Sequence, residues 1–194
     1  REWLPTRYRG LEGREAARLD LSRGTPDPEL LPELGPALAR VSDRASPVSY
    51  QSKPDIPELH DLLRATWPAP VESLTVTNGA LDAIDRALGA LVRLGDRIVL
   101  EDPTFPPFLD LVELYGLEAI PVAVDAEGMR PDEFARALGR GPALVLLQPR
   151  AHNPTGASMS GERAERLASL VRRSRMAERA VVIYRAAVDQ GIPV

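Results

Sequence analysis

From Leu74 onward the chain alternates short, continuously apolar runs with longer stretches in which apolar residues return every three or four positions. The runs Leu74–Thr77, Arg97–Glu101, Glu118–Val124, Ala143–Gln148 and Ala180–Tyr184 read as strands, and Ala80–Arg93, Phe105–Tyr115, Asp132–Leu138 and Gly161–Arg173 as helices. Leu81, Ile84, Leu88, Leu91 and Val92 form one apolar stripe, the pattern of a helix with one face on a core. The run Ala143-Leu144-Val145-Leu146-Leu147 has no polar alternation, so both of its faces must be covered. A β-α-β-α series of this kind predicts an α/β fold, a mainly parallel sheet with helices on both faces.

The first third has a different texture. Pro26, Pro28, Pro32, Pro36, Pro47, Pro54 and Pro57 fix the backbone and remove hydrogen-bond donors, which predicts an N-terminal arm with short helices over residues 1–70, ahead of a layered part over 71–194. Within the arm, Pro57 suits a first helical position and Leu59, Leu62 and Leu63 recur at helical spacing, giving a helix to about Trp67 that Pro68 and Pro70 end. An arm with no core of its own needs a surface to cover. Hinges are expected at the arm's ends and around Arg172–Met176, and the chain shows neither an internal repeat nor a low-complexity segment.

Composition narrows the chemistry. With 194 residues, 44% of them hydrophobic and 27% charged, the chain is long enough for one sizeable core or a large piece of one. No cysteine is present, which removes disulfides, thiolate metal sites and a cysteine nucleophile, and two separated histidines, His60 and His152, argue against a histidine-based zinc site. No run approaches the length of a membrane span and no apolar leader opens the chain, so a cytoplasmic location is expected, with no membrane partner. The net charge of −4 gives no general drive toward nucleic acid, and Lys53 is the sole lysine among 24 basic residues. A chain that begins at Arg1 rather than at methionine is expected to be a segment of a longer protein.

In a parallel sheet, ligands bind beyond the carboxyl ends of the strands, so the residues just after each strand carry the information. Thr77-Asn78-Gly79-Ala80-Leu81 opens a helix on a glycine, which is either a simple turn or a place where a phosphate meets free N–H groups at close range. In Glu101-Asp102-Pro103-Thr104-Phe105-Pro106-Pro107, Phe105 stands between prolines, either to stack on a flat ring or to enter the core with the next helix. In Gln148-Pro149-Arg150-Ala151-His152-Asn153-Pro154-Thr155-Gly156, the Asn153 amide can meet a ligand oxygen, although Asn-Pro also simply starts turns. His152 beside it reads as an exposed turn residue rather than a general base.

Taken together, Asn153-Pro154-Thr155-Gly156, Asn78-Gly79-Ala80, Glu101-Asp102-Pro103-Thr104-Phe105-Pro106 and Tyr50 ahead of Ile56-Pro57-Glu58-Leu59 resemble the aminotransferase class I/II family, proteins of fold type I that depend on pyridoxal 5'-phosphate. The resemblance spans about Leu19 to Arg175. It implies the large-domain fold of these proteins, with Gly79, Ala80 and Leu81 cradling the cofactor phosphate, Phe105 stacking on the pyridine ring and Asn153 bonding the ring hydroxyl. It further implies that Tyr50 reaches the phosphate of a partner subunit, hence a homodimer, and that Gly24 lies in the arm over the substrate. The arm Pro26-Asp27-Pro28-Glu29-Leu30-Leu31-Pro32 and the run Gln148 to Ser158 are most similar to MocR-type regulators of the GntR family, in which a DNA-binding winged helix precedes an aminotransferase-like domain. Such a chain would sense an amino acid or amine effector, and would meet DNA only through a domain it does not itself contain.

The family pattern also breaks. Where members carry an aspartate against the pyridine nitrogen, Val181-Val182-Ile183 is followed by Tyr184-Arg185, and Asp189 comes too late to replace it. The lysine that forms an imine with the cofactor, and the arginine that binds a substrate carboxylate in a small C-terminal domain, have no counterparts here. Lys53, in the arm, reads as an exposed cation. The chain by itself is therefore expected to be catalytically incomplete. The alternatives are the large-domain segment of an amino-acid aminotransferase and a fragment that binds no cofactor.

Overall fold

Eight residues in the middle of two adjacent strands set the architecture. In the computed structural model, which describes residues 28–42, 56–66, 71–174 and the backbone of 182–184, β1 (Arg97–Asp102) and β4 (Leu144–Leu147) pair in parallel with Ile98 opposite Leu144 and Leu100 opposite Leu146. β2 (Glu118–Asp125) lies parallel to β1 on its other side, β3 (Gly128–Met129) folds back on β2 as a short antiparallel hairpin, and β5 (Val182–Tyr184) runs parallel to β4. The order is β3-β2-β1-β4-β5. All four residues of β4 and the stretch Ile98–Glu101 of β1 are buried, as a strand covered on both faces requires.

Alternation along these strands splits the core into two layers. Ile98, Leu100, Leu144 and Leu146 point to one face, where they meet Ile84 and Leu88 of α3 (Ala80–Leu91) and Phe108, Leu111 and Val112 of α4 (Pro106–Leu114). Val99, Val145 and Leu147 point to the other, against Phe134 and Leu138 of α5 (Pro131–Leu138) and Leu167 of α6 (Gly161–Arg173). Each buried Leu, Ile or Phe contributes about 1.5–3 kcal/mol over its exposed state, so these two layers hold the fold. The helices begin where the sequence directs. Pro106 and Pro131 occupy first-turn positions that need no N–H, and Ser160 caps α6 by accepting the Arg163 N–H at 3.1 Å. Arg163 then reaches the hairpin, donating to both carboxylate oxygens of Asp125 at 3.0 Å and to the Met129 carbonyl at 3.0 Å, and its charge holds the Asp125 carboxyl below the usual range.

The described residues fall into two compact units that part between Val76 and Thr77. In the first, a single 3-10 turn (Pro28–Leu30), α1 (Gly35–Ser42) and α2 (Pro57–Thr66) bury no residue. The second unit is the sheet with its four helices. One expected strand is absent: Leu74–Thr77 joins no ladder among the described residues, and Val76 is exposed. Its alternation fits a strand, but a strand exists only where a neighbour supplies the other half of each hydrogen bond. The remaining expected elements stand within a few residues of their predicted ends, except that residues 180 and 181 of the last strand lie outside the described set. No helix among the described residues is long and apolar enough to cross a membrane.

Candidate functional site

The helix α3 returns to the start of β1 through the short connection Val92–Asp96, so it runs antiparallel to the strand and its first turn lies toward the strand's carboxyl end. Phe105 follows β1 and Asn153 follows its neighbour β4. The topology therefore gathers Gly79, Phe105 and Asn153 at one edge of the sheet, the edge where α/β proteins take their ligands.

Gly79 is the residue before the first turn of α3, at φ 89° and ψ 174°, a backbone conformation open to glycine and strained for other residues. No side chain caps the helix there, and an added Cβ would meet no atom within 4 Å. The first-turn N–H groups of α3, those of Ala80 and Leu81 among them, have no intrahelical acceptor and carry the positive end of the helix dipole. The nearby Asp82 carboxylate accepts the Asn78 N–H at 2.9 Å and the Arg86 guanidinium at 2.9 Å, and Arg86 first, then Asn78, lowers its pKa. Open space before unpaired donors fits a phosphate. Leu81 points away from that space and packs on the α3/α4 layer.

Of the two readings that its sequence context left open, the structure shows Phe105 entering the core with the next helix. It is half-buried at the head of α4, packs on the α3/α4 layer, and meets Phe108 edge to face at 5.4 Å and 89°.

The Asn153 turn is more elaborate. It is tied across its base by the Met159 N–H on the Pro149 carbonyl at 2.7 Å, by the Ala151 N–H on Ser158 Oγ at 3.1 Å, and by the His152 N–H on the Ala157 carbonyl at 2.9 Å. Asn153 is exposed at its tip, and its side-chain amide makes no hydrogen bond among the described residues. His152 corrects the expectation of an exposed turn residue: it is 1% exposed. Its Nδ1 lies 2.8 Å from Thr155 Oγ1 and its Nε2 lies 3.3 Å from Glu101 Oε2. Glu101, also 1% exposed, accepts the Gln148 N–H on that same oxygen at 2.8 Å. The Glu101–His152 contact is within charge-pairing distance but is not aligned as a hydrogen bond, and Glu101 Oε1 has no partner among the described residues. Burial pushes the Glu101 carboxyl up to about 7, with the Gln148 amide pulling the other way, and burial pushes His152 down. Both shifts favour neutral forms.

Sequence reasoning missed this pair, although a signal existed. Glu101 closes the apolar run Ile98-Val99-Leu100, and strand alternation places it on the same face as the buried Val99. Tyr50, Gly24, Lys53 and Asp189 lie outside the described residues. At the end of β5, Tyr184 stands opposite Leu147, where an acid would be needed to face a pyridine nitrogen. Among the described residues no cluster of His, Asp and Glu could hold a metal ion. A separate hollow of about 480 Å³, lined by Leu138, Gly141, Leu170 and Arg173, lies at the ends of α5 and α6 that lead into the strands, at the opposite edge from Asn153.

With a parallel sheet, a bare helix N-terminus, a fixed aromatic ring and a presented amide in place, the chain belongs to the aminotransferase class I and II family, whose model matches residues 18–177. It is 44% identical over 158 residues, 79% of this chain and 36% of the relative, to the vitamin B6 salvage pathway transcriptional repressor PtsJ of Salmonella typhimurium. It is 27% identical over 169 residues, 81% of this chain and 36% of the relative, to the HTH-type transcriptional regulator YdcR of Escherichia coli. Among solved structures it resembles LysN, an α-aminoadipate aminotransferase from Thermus thermophilus in complex with N-(5'-phosphopyridoxyl)-L-leucine. That likeness has a TM-score of 0.72 and 26% identity, covering 82% of this chain and 41% of LysN. The chain thus spans about a third of the length of these curated relatives.

Proposed function

We propose that this chain is the pyridoxal-phosphate-binding, effector-sensing part of a MocR-type transcriptional regulator that works as a cytoplasmic homodimer. The observation that carries the cofactor reading is the uncapped first turn of α3 at Gly79, open to a ligand and sharing one sheet edge with Phe105 and Asn153. Gly79, Ala80 and Leu81 would offer N–H groups to the phosphate, Phe105 a face to the ring, and Asn153 an amide to the ring hydroxyl. When bound, this cofactor supplies an electron-withdrawing ring that stabilises negative charge beside an amino nitrogen. The protein's own part is to orient that ring. The amino acid or amine bound with it would be the regulatory signal, and DNA would be met through a separate domain. The division into an arm over residues 1–70 and a cofactor-binding part over 71–194, with Tyr50 and Gly24 of the arm contributing to a site shared between subunits, belongs to the same reading.

Identity to a named transcriptional repressor over most of the chain favours the regulator. The fold likeness to LysN favours a second reading, the large-domain segment of an amino-acid aminotransferase. Sequencing upstream of Arg1 separates them, because a basic helix-turn-helix segment there belongs to a regulator. Equilibrium dialysis against pyridoxal phosphate tests the cofactor. Saturable binding lost in the Gly79→Val variant is the expected result. Binding of the chain and the variant to the same extent contradicts the site.

A further inference from the structure

We infer that Glu101 and His152 are positioning residues, a buried acid–imidazole strut between the end of β1 and the Asn153 turn that sets where the Asn153 amide stands. The inference deepens the cofactor reading above and rests on it.

Three observations carry it. His152 immediately precedes Asn153, and its ring is buried where residues 153–156 of the turn's tip are exposed. That ring is hydrogen-bonded at Nδ1 to Thr155 from within the turn, and its Nε2 stands against Glu101 Oε2 of the sheet at 3.3 Å, a close polar contact without hydrogen-bond alignment. Glu101 in turn is fixed by the Gln148 N–H at the root of the same turn, so one carboxyl touches both where the turn begins and the residue before its tip. The backbone of His152 completes the arrangement, since its carbonyl accepts the Gly156 N–H at 2.6 Å and closes the tip over Asn153 and Pro154.

An apolar pair at these positions would bury area without the cost of removing a carboxyl and an imidazole from water. Apolar contact is non-directional, whereas hydrogen-bonding groups fix an angle. The two hydrogen bonds at the strut's ends, Gln148 N–H to Glu101 and His152 Nδ1 with Thr155, therefore give this turn a defined orientation, and the residue they orient is Asn153. Thr155, an exposed residue of the tip, is part of the same device because its hydroxyl is hydrogen-bonded to the imidazole.

The test uses this chain with pyridoxamine phosphate, which cannot form an imine with Lys53, and with the analogue of pyridoxamine phosphate that lacks the ring hydroxyl. Glu101→Leu should weaken binding of pyridoxamine phosphate tenfold or more, and Thr155→Val at least threefold. Neither should alter affinity for the analogue, which has no hydroxyl for Asn153 to meet. Glu101→Gln, whose amide oxygen can take the place of Oε2 and accept the Gln148 N–H, should restore binding to within threefold. If Glu101→Leu does not fold, the exposed Thr155→Val change decides alone. Equal weakening toward both ligands, or none toward either, overturns the inference and leaves the cofactor reading intact. If the unaltered chain binds both ligands equally, Asn153 does not read the hydroxyl, and that reading falls together with the strut.

Discussion

At the α3 side of the candidate site, a ligand would meet bare backbone: Gly79 without a cap, first-turn N–H groups, and open space in front of them. At the β4 side it would meet a side chain, Asn153, presented by a turn that is cross-tied at several points and backed by a carboxyl and an imidazole taken out of water. A tetrahedral phosphate accepts donors from many directions, so a helix end suffices for it. A ring hydroxyl offers one atom at one place, and reaching it demands a side chain held at a set angle. The contrast predicts that the two sides fail differently when altered.

The largest effect should come from emptying the strut. His152→Ala removes a buried ring, its hydrogen bond with Thr155 and its contact with Glu101, which should destabilise the chain by about 3 kcal/mol in chemical denaturation near pH 7.5, where the imidazole is neutral. A smaller loss than about 1 kcal/mol would make the β4 side as loosely built as the α3 side.

The acid of the strut should also write itself into the pH dependence. The folded Glu101 pKa of about 7 lies above its usual 4.5, so below 4.5 both folded and unfolded chains hold the proton and the contribution is complete. Between these values the unfolded chain releases a proton that the folded chain keeps, and stability falls as pH rises, by about 3 kcal/mol across the window. His152 acts in the opposite sense: its lowered pKa means that the unfolded chain gains a proton below 6.5 that the folded chain refuses, so its slope opposes that of Glu101 there. Subtraction isolates the acid. The stability of Glu101→Gln relative to the unaltered chain should climb by about 3 kcal/mol between pH 4.5 and 7 and then level off. A difference independent of pH would show that the carboxyl titrates normally.

On the α3 side, Gly79→Ala meets no steric obstacle, so its cost is purely one of backbone conformation, about 1–2 kcal/mol by thermal or chemical unfolding. Smallest is Asn153→Ala: an exposed side chain with no partner among the described residues should change stability by less than about 0.5 kcal/mol while reducing affinity for pyridoxamine phosphate. A substantial stability loss at Asn153 would mean that its amide serves the fold rather than a ligand.

Most of the sheet was legible in the sequence because Ile98-Val99-Leu100 and Leu144 to Leu147 are apolar on both faces, and the helices because Leu81, Ile84 and Leu88 keep one stripe. The loops at Phe105 and Asn153 were legible because each follows a strand whose type was already clear, and Gly79 because the stripe of α3 begins just after it. What escaped depends on pairing. Leu74–Thr77 has the texture of a strand without a partner among the described residues, and the burial of His152 depends on β1 lying beside β4, 47 residues apart between Glu101 and Gln148. No local pattern announces a contact of that range.

The Arg163 clasp has a consequence for the thermodynamics of binding. The Asn153 turn leaves β4 at one end and enters α6 at the other, and the first turn of α6 is pinned to the β2–β3 hairpin through Arg163, Asp125 and the Met129 carbonyl. Both abutments are thus fixed by the folded sheet, and the loop between them has little freedom left to lose. Its ordering entropy is surrendered once, on folding, so a ligand arriving at Asn153 finds the loop already in place and more of each contact it makes appears as affinity.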